Sequence, residues 1–179
     1  MLTDKQKKEL ERICYKHYKG LNPTHNIWHL KETSRLAVLI AKKEKANIEI
    51  CKYGAMLHQF HDGSKVEHIL ERLAVDNITR KQLVHVVYCA SSRTINQAKT
   101  KEAKIVNDAD KLQCLGGIGI MRQVHDFSRR WELKKAIKKG LKEQNLFYKQ
   151  MKTKTAKKLA KQRYKRGLQF YKEVLKTIQ

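Results

Sequence analysis

The chain has 179 residues and carries 40 Lys and Arg against 17 Asp and Glu, a formal charge of +23. That length suits one domain with a core of its own, and 41% hydrophobic with 32% charged residues excludes a disordered or fibrous chain. One proline and eight glycines leave too little turn material for an all-β sandwich, and no apolar run approaches the roughly 18 residues of a membrane span.

The opening MLTDKQKKEL reads as a charged amphipathic start, not a secretory signal. Thr3 with Gln6 forms a capping box, which opens a helix to about residue 19. Residues 20–23 break it. A second helix, over about 26–45, sets Leu36, Ala37, Ile40 and Ala41 on one face. A third starts near Ile48, carries Ile50, Cys51, Gly54, Ala55 and His58 at helical spacing, and is expected to end at Gly63. Thr79 with Gln82 reads as another capping box, opening a helix through 83–88. Ile105, Ala109 and Leu112 mark a helix that stops near Gly116 and Gly117. Two long basic helices follow, over about 129–144 and 155–177. Strands are nowhere required. The expected fold is an all-α, single-domain helical bundle over 1–179, with its core at about 25–125 and basic helices at its C-terminal end.

Four cysteines, Cys14, Cys51, Cys89 and Cys114, lie far apart without a C-x-x-C pair, which removes the zinc-ribbon and thioredoxin readings. Three lie in apolar segments as buried free thiols. That usage fits a reducing, cytoplasmic compartment. The positive field favours anionic ligands, and it also invites nucleic acid as a partner, since Lys and Arg contacts to phosphate dominate that affinity.

Chemistry-bearing residues gather in two stretches. His25 and His29 are four apart, a spacing that a solvated or structural pair and a ligand pair share. His58 lies on the stripe of Cys51, Ala55 and Asp62, so its imidazole faces the core and needs a hydrogen-bond partner or a metal. His61 is offset from it by about a third of a turn. Downstream, Asp108 and Asp110 sit in the apolar run IVNDADKLQCLGG, about 200° apart on a helix, so they do not serve one metal together. Carboxylates in such a segment are costly unless paired or coordinated. Histidines from two early helices and an aspartate from a later one thus suggest a core site.

The order of His29, the AMLH run ending at His58, DADKLQCLGGIGIMR, and TKTAKKLAKQRY near the end resembles the HD-domain metal-dependent phosphohydrolases. The nearest group is the small single-domain HD proteins that include nucleotide pyrophosphohydrolases. The resemblance runs from about His25 to Leu175. It implies a divalent metal (Mn, Fe, Co, Ni, Zn or Mg) held by His29, His58 and Asp110, with Gln59 at the second position of the HD pair. It also implies Asp62, helped by His61, as the group that deprotonates water. Arg122 and Arg163 match family arginines. Lys31, Lys65 and Lys111 are the remaining candidates for substrate phosphate, and His25 and Asp108 are supporting residues.

Three positions depart from the family pattern: Gln59 stands for aspartate, Ala90 for histidine and Gln113 for aspartate. An amide is a poorer ligand for a divalent cation than a carboxylate. His61-Asp62 is itself an HD dipeptide displaced by three residues, but the ungapped spacing from His29 to His58 favours the unshifted alignment. The implied function is a metal-dependent phosphohydrolase acting on a nucleotide or related phosphorylated small molecule. One alternative is a weakened HD domain that binds a nucleotide or partner. The other is a basic nucleic-acid-binding helical protein, carried by RRWELKKAIKKGLK and KTKTAKKLAKQRYKR and opposed by the 7% aromatic content.

Overall fold

The computed structural model describes residues 1–178, and helices account for all of its regular structure. The α-helices are α1 (Asp4–Lys19), α2 (Ile27–Glu44), α3 (Ile48–Leu57), α4 (Gly63–Arg72), α5 (Asn77–Tyr88), α6 (Lys101–Leu112), α7 (Gly116–Ser128), α8 (Leu133–Gln150) and α9 (Lys154–Thr177). Short 3-10 turns occupy Pro23–His25, His58–Phe60 and Ile95–Gln97. The all-α expectation therefore holds, with no strand among the described residues. The chain forms two compact units, Met1–Ala109 and Asp110–Gln179, and their boundary falls within α6, which runs without a break to Leu112.

Helix starts follow from local side chains. Thr3 and Gln6 close the expected capping box on α1. Asn26 and Asn47 cap α2 and α3 by accepting from the backbone N–H groups two and three residues on. The cap of α5 differs from expectation. Asp76, not Thr79, is the N-cap, and its carboxylate accepts from the Thr79 N–H at 2.9 Å. Bonding to the Thr79 backbone and side chain holds the Asp76 carboxyl down at about 2. An ionised carboxylate at an N-terminus gains from the helix dipole, which an internal threonine hydroxyl does not.

In the first unit α2 packs on α3, and α3 on α5. Leu36, Ala37, Ile40 and Ala41 of α2 are buried, as are Ile50, Cys51, Gly54 and Ala55 of α3. At Gly54 α3 lies close against α5, since a Cβ there would run into the Val86 side chain. In the second unit Ile120, Ile137 and Tyr171 form a buried cluster flanked by Val124, Leu141 and Val174.

Two glycine signals read as helix ends prove to be helix starts. Gly63 is the first residue of α4, with Asp62 as its N-cap. Gly116 opens α7 with φ +74°, where it packs against Arg163 and a side chain would be strained. All four cysteines are free, and Cys14, Cys51 and Cys89 are buried as expected. Burial pushes the Cys14 and Cys51 thiols up to about 12.

Candidate metal centre

Asn26 starts α2, and one turn later His29 is fully buried on its inner face. His58 follows the last residue of α3 and begins the 3-10 turn that ends it. The chain reverses at His61, whose φ of 57° is left-handed. The Nδ1 of His58 lies 2.6 Å from the Ala55 carbonyl and 3.2 Å from the Tyr18 hydroxyl. A carbonyl only accepts, so Nδ1 carries the proton and the neutral ring presents its Nε2 lone pair. That lone pair points at the Nε2 of His29, 3.1 Å away. An anchored Nδ1–H of this kind fixes the tautomer of a metal-binding imidazole.

His29, His58 and Asp110, all buried, each offer one ligand atom, and these atoms lie within 4.8 Å of one another. Asp110 stands on the last turn of α6, the helix whose earlier residues belong to the first unit. Two donors each about 2.1 Å from one ion at right angles stand about 3 Å apart, close to the imidazole separation here. Two neutral imidazoles and one carboxylate suit Mn, Fe, Co, Ni or Zn better than an all-oxygen Mg site.

Gln59 lies beside this cluster in a particular orientation. Its amide nitrogen is 2.9 Å from the His58 Nε2 and 3.3 Å from the His29 Nε2. Its amide oxygen accepts from the His61 Nε2–H at 2.8 Å. Gln59 thus turns a donor towards the two histidines. The backbone of Gln59 is pinned as well, because the His17 ring nitrogen lies 3.2 Å from its carbonyl and the His17 ring stacks on Phe60 at 4.0 Å.

The other sequence candidates spread more widely. Asp62 does not share the His58 stripe, because the reversal at His61 carries it to the exposed N-cap of α4. There its Oδ1 accepts from the Ser64 hydroxyl and from the Ser64 and Lys65 N–H groups. Those bonds, the Ser64 hydroxyl first, hold its carboxyl below the usual range. His25 sits in the turn before α2, with its ring edge-to-face on His29 at 5.4 Å and its Nδ1 3.0 Å from Asn22. Lys31 and Lys65 are exposed, and the Lys65 ammonium lies 5.5 Å from the Phe60 ring. Asp108 is fully buried.

Within the second unit Lys111 donates to the Asp110 carboxylate at 2.7 Å. Burial is the largest influence on Lys111 and pulls it down, but Asp110 and Cys114 outweigh it, and the net shift is upward. Arg122 acts electrostatically on Lys111 and Cys114, and its Nε and one terminal nitrogen are buried with no hydrogen-bond partner. Arg163 donates to the Leu112 carbonyl at 2.9 Å. Tyr18 and Ala55, which bond the His58 Nδ1, are contacts of the cluster that motif reading passed over. A core tyrosine carries no motif, and a backbone carbonyl carries no side-chain signal at all.

The fold is the one seen in solved HD-superfamily proteins. An HD-superfamily hydrolase from Bacillus thuringiensis superposes with a TM-score of 0.72 at 24% identity, over 96% of this chain and 97% of that one. A relative in sequence is YpgQ of Bacillus subtilis, 27% identical over 187 aligned positions that cover 86% of this chain and 84% of YpgQ. The crystal structure of YpgQ in complex with ADP superposes with a TM-score of 0.78 at 23% identity, over 96% and 97% of the two chains. No protein-family model matches the chain.

Proposed function

We propose that this protein is a metal-dependent phosphohydrolase acting on a nucleotide or a related phosphorylated small molecule. The observation that carries the reading is the buried convergence of His29, His58 and Asp110 within 4.8 Å. Such side chains are costly in an interior unless paired or coordinated, and their convergence on one point is the arrangement that a shared cation requires. When bound, a divalent cation supplies there the acidity that activates water at neutral pH and polarises a phosphoryl oxygen.

The residues of the chain do the rest. Ala55 and Tyr18 keep the His58 Nε2 lone pair directed at the site. His61, bonded to the Gln59 amide at the edge of the cluster, is the proton acceptor we assign, while the Oδ1 of Asp62 is engaged at the N-cap of α4 by Ser64 and Lys65. Arg122, with two buried guanidinium nitrogens lacking partners, is the strongest phosphate ligand we assign, with Lys111, Arg163, Lys31 and Lys65 adding positive charge. That YpgQ was crystallised with ADP supports a nucleotide as the substrate class.

The test is metal analysis of the purified protein together with phosphate release from a panel of nucleotides. We expect bound metal and metal-dependent release in the wild type, and loss of both in His58→Ala and in Asp110→Ala. A robust wild-type activity that neither change affects overturns the assignment.

A second reading is favoured by the orientation of Gln59, which turns an amide N–H2 towards the histidines where the family has a carboxylate. In that reading the domain keeps metal and nucleotide binding and has lost turnover. Metal-loaded protein that is silent across the panel, with turnover appearing in Gln59→Asp, would select it.

A further inference from the structure

The charge of the chain is unevenly distributed. Residues 110–179 hold twenty Lys and Arg against five Asp and Glu, a surplus of fifteen, while the longer first unit has a surplus of eight. Much of the excess lies on α9. Lys154, Lys158, Lys161, Lys165, Lys172 and Lys176 are all exposed. At 100° per residue they fall within a sector about 60° wide, and from first to last they span about 33 Å. Glu173, the single carboxylate of α9, lies outside that sector. None of the six ammonium groups makes a hydrogen bond or ion pair among the described residues. Lys165, Lys172 and Lys176 line one shallow groove with Leu168, Gln169 and Glu173.

Like charges at i,i+4 repel along a helix, and this stripe contains three such pairs: 154/158, 161/165 and 172/176. Surface lysines that serve solubility alone are usually interleaved with acids, as in the Lys139–Glu143 pair of α8. The opposite face of α9 is already used, with Ala156, Ala160, Gly167 and Tyr171 buried. No apolar face is left on this helix for insertion into a lipid surface. A line of unpaired cations about 33 Å long, with no acid in its sector, suits a polyanion of regular charge spacing, and the phosphates of a nucleic acid are such a polyanion.

We propose that the lysine face of α9 docks the phosphate backbone of a nucleic acid, independently of the metal centre and without sequence preference. The stripe has no aromatic or amide side chain within its sector to read bases, so contacts are to phosphate alone. Replacing Lys158, Lys161 and Lys165 together by glutamine removes the middle of the line and keeps helix-forming residues in place.

The experiment is fluorescence anisotropy of the full chain with labelled 20-base-pair DNA and RNA duplexes of mixed sequence, across a range of salt. We expect a slope of log K against log salt of about −5, from roughly five to six neutralised phosphates, falling by about 3 units in the triple variant. At ~0.1 M salt the triple variant should bind at least tenfold more weakly. A second triple variant, Lys8→Gln, Lys42→Gln and Lys43→Gln, changes exposed lysines of the first unit by the same charge and should lose less than threefold. Equal losses in the two triples overturn the proposal, because a diffuse field and not the stripe would then carry binding. So does wild-type binding to phosphatidylserine vesicles without binding to either duplex. Circular dichroism of both triples checks that helix content is retained.

Discussion

At the scale of single residues, the decisive contact is the amide of Gln59. Its oxygen is engaged by the His61 N–H and its nitrogen donates towards the His58 Nε2, so the side chain spans the gap between a left-handed loop residue and the buried imidazoles. Glutamate has the same length and removes both the N–H donor and its competition for the His58 lone pair. It also places an anionic oxygen beside two neutral nitrogens, which divalent transition metals prefer to an amide. Gln59→Glu should therefore tighten binding of Mn2+ by about tenfold or more, equivalent to about 1.4 kcal/mol, in a calorimetric titration. Unchanged or weaker binding would show that the amide is not what limits the site. The same residue marks how far motif reading reaches. His29, His58 and Asp110 are legible because their side chains carry the chemistry themselves. The direction in which Gln59 points depends on His61, whose left-handed φ has no glycine or asparagine to announce it.

At the scale of helices, the site is held by the close approach of α3 and α5. Gly54 lies one turn before His58, and a methyl group added there would strike Val86 on α5. Helices cannot separate locally without moving everything their faces bury, so overpacking at such a point costs roughly 1–3 kcal/mol. We expect Gly54→Ala to lower stability by about that amount in denaturant titrations. Val86→Ala in the same chain should recover part of the loss, since it empties the space the new methyl needs. Independent, additive effects of the two changes would place the strain elsewhere. The helix pattern around these residues was readable where period and cap agree, as in α1, α2 and the start of α3. It was not readable at Gly63 and Gly116. Glycine after an apolar run signals a helix end, but the same residue begins α4 and α7, because the chain turns and the next helix starts after only five and three intervening residues. Gln144 shows a related limit. Its spacing with Ala136, Ile137 and Gly140 marks a buried face. Its amide, however, bonds the Cys114 carbonyl at 2.6 Å and the Gly116 N–H at 3.2 Å, contacts that only the tertiary turn creates.

At the scale of the whole molecule, a formal charge of +23 over 179 residues means that most cations have no carboxylate to meet. The pairs that do form are largely exposed, such as Arg12 with Glu9 at 2.6 Å and Lys52 with Glu11 at 2.8 Å, and such pairs contribute about 0–1 kcal/mol each. Two opposing effects of salt follow. Screening weakens these few attractions, and it weakens the far more numerous repulsions among lysines beyond a Debye length of about 10 Å at 0.1 M. Repulsion dominates here because like-charged neighbours outnumber opposite ones, most of all along α9. Self-repulsion destabilises the compact state relative to the expanded chain, in which the same charges lie further apart. Stability should therefore rise with salt. Between ~10 mM and ~300 mM sodium chloride, a screening gain of about 1 kcal/mol would raise Tm by roughly 2–4 °C for a chain of this size. The Lys158, Lys161 and Lys165 triple glutamine variant should begin from a higher Tm at low salt and show a shallower rise, because part of the repulsion has already gone. A fall of Tm with salt in the wild type would mean that the surface ion pairs outweigh the surplus, and the stored repulsion inferred for α9 would then be absent.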